Sequence, residues 1–143
     1  MKTLGANSIR VYHVDPTAEH DACMKTIAYA GIYIWLDLDT FDSAIQGPGM
    51  PQPLWNVSQY KAFQTVMDVF HNYDNLGGFF VGNEVLTSPD TYVAAPFVKA
   101  AAADMKAYRD GKSLTPPSVL HQPQRLTSHS QKLPQDPDRL HCS

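Results

Sequence analysis

Along most of this chain the apolar positions switch between a two-residue period and a helical one. Ser8 to Val14 alternates, with Ile9, Val11, Tyr12 and Val14 as its β-branched and aromatic members, and reads as a strand ended by Asp15 and Pro16. Thr17 opens a helical stretch to about Ala30 in which Cys23, Met24, Ile27 and Ala28 share a face, and Gly31 is its natural stop. Ile32 to Leu38 is nearly all apolar, as expected of a strand buried on both faces of a parallel sheet. Ser58 to Tyr73 carries Tyr60, Phe63, Val66, Met67 and Phe70 on one helical stripe. A short apolar run, Phe79, Phe80 and Val81, follows and ends at Glu84. An alanine-rich helix then runs through Ala95, Val98, Ala102, Met105 and Tyr108 and closes at Gly111.

The order strand, helix, strand, helix, strand, helix predicts an α/β fold of three βα units on a parallel sheet, too few to close a barrel. Two loops interrupt it, one from Thr40 to Pro53, rich in Gly, Pro and Ser, and a shorter polar one from Thr87 to Asp90. Loops as long as the first are often functional. Beyond Lys112 the sequence turns to Pro, Ser, Thr, Gln and His without a period that could bury a face. Residues 1–112 are therefore expected to form the folded domain, and residues 113–143 a disordered tail with the look of foreign sequence.

Composition narrows the function classes. With 43% hydrophobic and 17% charged residues the chain matches an ordinary globular protein. Its net charge of -3 gives no basic footprint for nucleic acid. No secretory leader or lipid-anchor pattern is visible. Two cysteines, Cys23 and Cys142, are too few for a disulfide framework, and the sequence cannot place them together. His13, His20 and His71 lack metal-ligand spacing, and Gly77 and Gly78 precede a strand where a phosphate cradle would follow one. Neither a metal nor any other cofactor is expected, and the chain is read as a monomer.

The remaining chemistry gathers at strand ends. Glu84 is placed where barrel enzymes present a carboxylic acid, and apolar walls there would favour its protonated form for general-acid work. Asn83 beside it could hydrogen-bond a sugar hydroxyl. Asp37 and Asp39 end the Ile32 strand on the same rim and are read as diverging to its two sides, so that at most one of them faces a given pocket. Tyr12 would project ring and hydroxyl into the same mouth. Of the two tryptophans, Trp35 is read as packing and Trp55 as exposed. Asn56, Val57 and Ser58 form a glycosylation sequon, placing a candidate glycan on Asn56. Each position also has an ordinary role open to it: polar punctuation for Glu84, loop-amide acceptors for the aspartates, core for Tyr12.

Several separated motifs resemble one family. Leu4 to Tyr12, Val14 to Pro16, His20, Asp21, Cys23 and Met24 resemble the opening of fungal glycoside hydrolase family 72, the β-1,3-glucanosyltransferases. The likeness continues through Ala30 to Tyr33, Leu36 and Asp37, then Tyr73 to Asn75, Gly82 to Val85, and Ala95 to Ala100, in the family's order. The resemblance implies part of a (β/α)8 TIM barrel at the fungal cell surface or cell wall, with contact to membrane only through a glycosylphosphatidylinositol (GPI) anchor. It implies β-1,3-glucan chains as donor and acceptor in a retaining, double-displacement transfer. In that pattern Glu84 matches the acid/base, Asn83 its sugar-binding neighbour, Tyr12 a substrate-contacting tyrosine and Asp37 an acid near the site. The loop beginning at Asp39 matches a sugar-binding segment. The family's nucleophilic glutamate belongs to a later strand that nothing after Tyr108 resembles, so the chain is expected to be an incomplete, inactive piece. A binding module without catalysis and a non-functional product are the alternatives. Cys23 matches a cysteine whose partner lies upstream of Met1, which implies that it is unpaired.

Overall fold

The computed structural model describes residues 2–40, 42–47 and 50–114. Three strands, β1 (Ser8–Val11), β2 (Tyr33–Asp37) and β3 (Leu76–Phe80), form a parallel sheet in the order β1-β2-β3. They alternate with the helices α1 (Asp21–Tyr29), α2 (Val57–Phe70) and α3 (Ala95–Gly111), as the apolar periods predict. The strands are shorter and shifted. β1 stops before Tyr12, and β3 begins at Leu76 and ends four residues before Glu84. A run of apolar letters could not locate β3, because Gly77 and Gly78 supply two of its five residues. An added Cβ on either glycine would stand 2.8 Å from the Trp35 ring of β2. The absence of a side chain thus lets Trp35 lie across the neighbouring strand, at a point where the register slips by one residue.

Alternation on the sheet decides which side is core. Ile34, Leu36 and Leu38 are buried against Met24, Phe63, Val66, Met67, Phe70 and Met105 from the three helices. The other face carries Arg10, Tyr33, Trp35 and Phe80 and is only part-covered, so β2 is buried on one face and not on both. Asp37, on that second face, is covered for a separate reason described below.

Helix ends follow local chemistry. Gly31, at φ 70°, ends α1 with paired bonds from Gly31 N–H to the Ala28 carbonyl at 2.8 Å and from Ile32 N–H to the Ile27 carbonyl at 3.2 Å. Helix α1 begins later than expected because Asp15 folds the preceding residues into a turn, accepting from Thr17 N–H and Oγ1 at 2.9 and 2.7 Å. Asn56 caps α2, accepting from Gln59 N–H at 3.0 Å while Gln59 Oε1 accepts from Asn56 N–H at 2.9 Å. Trp55, expected to be exposed, instead packs on Phe63 at 5.0 Å between ring centroids and donates to Asp104 at 2.8 Å. Its indole is large enough to close the gap between the long loop and two helices.

Cys23 is disulfide-bonded, which corrects the expectation of an unpaired thiol. That expectation followed the family's pattern, in which the partner lies upstream of Met1; the pairing with Cys142 that the sequence left open involves a residue outside the described ones. The tail expected from residue 113 lies outside the described residues from 115 onward.

Candidate functional site

A cavity of about 500 Å³ opens at the C-terminal ends of the strands. Tyr12 and His13 enter it just after β1, Asp39 and Thr40 after β2, and Asn83, Glu84 and Val85 after β3. Four of the residues singled out from sequence, Tyr12, Asp39, Asn83 and Glu84, therefore meet in one place. Parallel strands deliver their C-terminal loops to a common rim, where ligands of open α/β sheets bind. Ala44, Gln46 and Gly47 of the long loop close one side, and Thr87 and Thr91 another.

The loops forming this wall are pinned from beneath. Ile45 and Val85, one from each loop, are buried together with Ala94 and Ala101. Gln59 reaches up from α2, its Nε2 donating to the carbonyls of Ala44 and Leu54 at 2.9 Å and of Ser43 at 3.4 Å. The position of Gln59 three residues after Asn56 was the only available signal, and it pointed to the cap, not to the loop.

Glu84 does not sit at a strand tip between apolar walls. Its residue is exposed, in a bend, at φ 49°. Left-handed backbone is unfavourable for a residue with a Cβ and persists where surrounding contacts over-determine it. Here the neighbours do so: Val85 is buried, and its Cγ2 comes so close to Gly82 that a Cβ there would be 2.7 Å away. Gly82 allows the chain to fold tightly enough to turn Glu84 outward over the cavity.

Asp37 lies under the site and does not line it. Its carboxylate is fully covered and bound twice by Arg10, from Nε to Oδ1 and from Nη2 to Oδ2, both at 2.8 Å. The guanidinium lies 4.8 Å from the Tyr12 ring centroid and 4.3 Å from that of Phe80, so the ion pair supports both rings. Arg10 was not given a role from sequence, although a period of two puts it on the same face as Tyr12.

Of the two acids, Asp39 lines the cavity and Asp37 does not. Divergence is not the reason, because residues two apart on an extended chain project the same way; Asp37 is taken up by Arg10. Burial first, and then the charge of Asp37, push the Asp39 carboxyl above its ordinary value, partly opposed by backbone N–H groups of Asp39 and Asn83. Its Oδ1 has no hydrogen-bond partner among the described residues. Tyr12 is 58% exposed, its ring lying against Arg10 and open to the cavity. Asn56 stands elsewhere, at the start of α2, with its side-chain oxygen occupied by the cap.

The glucanosyltransferase model of glycoside hydrolase family 72 matches residues 1–116. The chain belongs to that family. It is 41% identical over 108 residues to 1,3-beta-glucanosyltransferase GAS2 of Saccharomyces cerevisiae, covering 76% of this chain and 19% of that protein. It is 44% identical over 107 residues to 1,3-beta-glucanosyltransferase gas4 of Schizosaccharomyces pombe, covering 75% of this chain and 23% of that one. The structure of S. cerevisiae Gas2p in complex with laminaritriose and laminaritetraose superposes with a TM-score of 0.74 at 38% identity, over 80% of this chain and 26% of that chain. The chain thus spans about a fifth to a quarter of the length of these family members.

Proposed function

We propose that this family member carries the acid/base half of a retaining β-1,3-glucanosyltransferase site. The observation that supports it best is the meeting of Tyr12, Asp39, Asn83 and Glu84 around one cavity at the strand C-termini. In this reading Glu84 protonates the departing sugar oxygen and later accepts a proton from the acceptor hydroxyl, while a second carboxylate attacks the anomeric carbon. Retention sets that partner at about 5–5.5 Å. Asn83 and Asp39 hold sugar hydroxyls, and Tyr12, stiffened by Arg10, offers an aromatic face to a pyranose ring. Asp37 acts through Arg10 and not by contact.

The exposure of Glu84 fits a half-site. General-acid work needs a covered carboxyl, and the covering wall would come from further βα units of a (β/α)8 barrel. The outer edge of β3 supports this, because an apolar cavity of about 470 Å³, lined by Leu76, Phe79, Val81, Met105 and Leu114, lies between that edge and α3. A fourth parallel strand would pair there. Domain limits of 1–112, a glycan on Asn56, action as a monomer, and a place at the cell wall or on a GPI anchor complete the proposal.

Sedimentation with insoluble β-1,3-glucan tests the reading. The chain is expected to co-sediment, the Tyr12→Ala variant to do so several-fold less, and neither to elongate laminari-oligosaccharides. Equal sedimentation of both proteins would remove the cavity from the account, and elongation by this chain alone would refute the half-site.

A further inference from the structure

Glu84 stands between two residues that are both tied to the segment after β2. Val85, which follows it, is 7% exposed and is buried with Ile45, Ala94 and Ala101 in an apolar cluster separate from the core under the sheet. Asn83, which precedes it, donates its backbone N–H to the Asp39 carboxyl. The chain is held on either side of Glu84, and the bend between the two holds falls on Glu84 itself. Its φ of 49° is one that a residue with a Cβ keeps only under constraint. Ile45 is the member of the cluster that belongs to the cavity wall. It is fully buried, while Ala44, Gln46 and Gly47 on either side of it line the cavity. Its backbone is fixed in turn, with Ser43 N–H donating to the Thr40 carbonyl at 3.0 Å and Leu54 N–H to the Ile45 carbonyl at 2.8 Å.

We propose that Ile45 is a positioning residue for Glu84: by filling the cluster with Val85 it holds the left-handed bend, so that the cavity-lining loop and the Glu84 carboxyl are ordered as one unit. The meaning of this for glucan transfer rests on the reading above, whereas the coupling itself does not. Removing Ile45 side-chain atoms leaves Val85 beside a void, and the constraint that keeps Glu84 at positive φ is then relaxed. A coupling of this kind is mutual. Shrinking Val85 therefore loosens Ser43, Ala44 and Ile45, although Gln59 still holds the carbonyls of Ser43 and Ala44. A glucan that orders the loop would, by the same link, order the acid.

NMR on the whole chain decides the matter. Two quantities are read: amide hydrogen exchange, and the nuclear Overhauser effect between the Glu84 amide and its own Hα, which is strong only at positive φ. Ile45→Ala is compared with Met24→Ala, a truncation of similar size in the core under the sheet. Relative to the amides of β2, exchange at Glu84 and Val85 is expected to quicken about tenfold in Ile45→Ala and not in Met24→Ala. The Overhauser effect is expected to weaken in Ile45→Ala alone. Ile45→Val, one methyl smaller than the wild type, should show the same pattern at lesser size and serves if the larger truncation does not fold. Val85→Ala should quicken exchange at Ala44 and Ile45. Equal exchange in Ile45→Ala and Met24→Ala, or an Overhauser effect unchanged in both Ile45 variants, would overturn the proposal. Laminaripentaose is expected to slow exchange at Ala44 and at Glu84 together in the wild type. No binding of that sugar would overturn the glucan reading, and the exchange comparison made without sugar would still decide the part played by Ile45.

Discussion

The residue that most of the site leans on is Arg10. Its two bonds leave no ionised oxygen of the buried Asp37 unmatched, and its flat face supports Tyr12 and Phe80. Arg10→Ala removes the cation but leaves the anion covered, so a loss of about 3 kcal/mol of stability is expected by denaturant titration. Arg10→Lys is expected to recover only part, because an ammonium cannot reproduce the two-nitrogen fork. Asp39 predicts the opposite sign. A carboxyl raised above its ordinary value binds its proton more tightly folded than unfolded. Its stabilising contribution is full below the unfolded value near 3.8 and is lost as pH rises through the folded one. Asp39→Asn should therefore raise Tm at pH 7, with the gain shrinking toward pH 4; a lower Tm at pH 7 would show that the ionised form is what the fold prefers. Position at strand ends made Glu84, Asn83 and Asp39 candidates from sequence, and the family resemblance added weight to them and to Tyr12. The sequence could not show that Asp37 is spent on Arg10, since that pairing joins residues 27 apart on adjacent strands.

Among the elements, the loop between β2 and α2 shows how a segment without periodicity acquires a fixed form. Gln59 Nε2 holds three of its carbonyls, and Ile45 is fully buried beneath it. Gln59→Ala loses these bonds and its half of the Asn56 cap at once. A destabilisation of about 2 kcal/mol is expected, with faster amide exchange from Thr40 to Leu54. Unchanged exchange there would place the loop's order elsewhere. The helices were legible because each has a sustained stripe and a stop signal: Phe63, Val66, Met67 and Phe70 in α2, and Gly31 after α1. β3 was not, because the property that fits it against Trp35 is the missing side chain at Gly77 and Gly78, which looks like a loop. Gly77→Ala forces that ring to move and should cost about 1–3 kcal/mol in the same titration.

At the scale of the whole molecule, three βα units set the C-terminal strand ends on one rim and leave the outer edges of β1 and β3 without strand partners among the described residues. Order and direction of the units followed from the alternating periods. The cavity did not, because its walls come from loops anchored by Ile45, Val85 and Gln59, whose contacts span distant parts of the chain. The central claim is that Tyr12, Asp39, Asn83 and Glu84 form one sugar-binding face. Chemical-shift mapping of the isotope-labelled chain with laminaripentaose tests it most directly. The account predicts that the amides which shift cluster at Tyr12, His13, Asp39, Thr40 and Asn83 to Val85, and that Tyr12→Ala abolishes the shifts at all of them. Shifts confined to the β3 edge around Phe79 and Met105, or no shifts at saturating sugar, would contradict it.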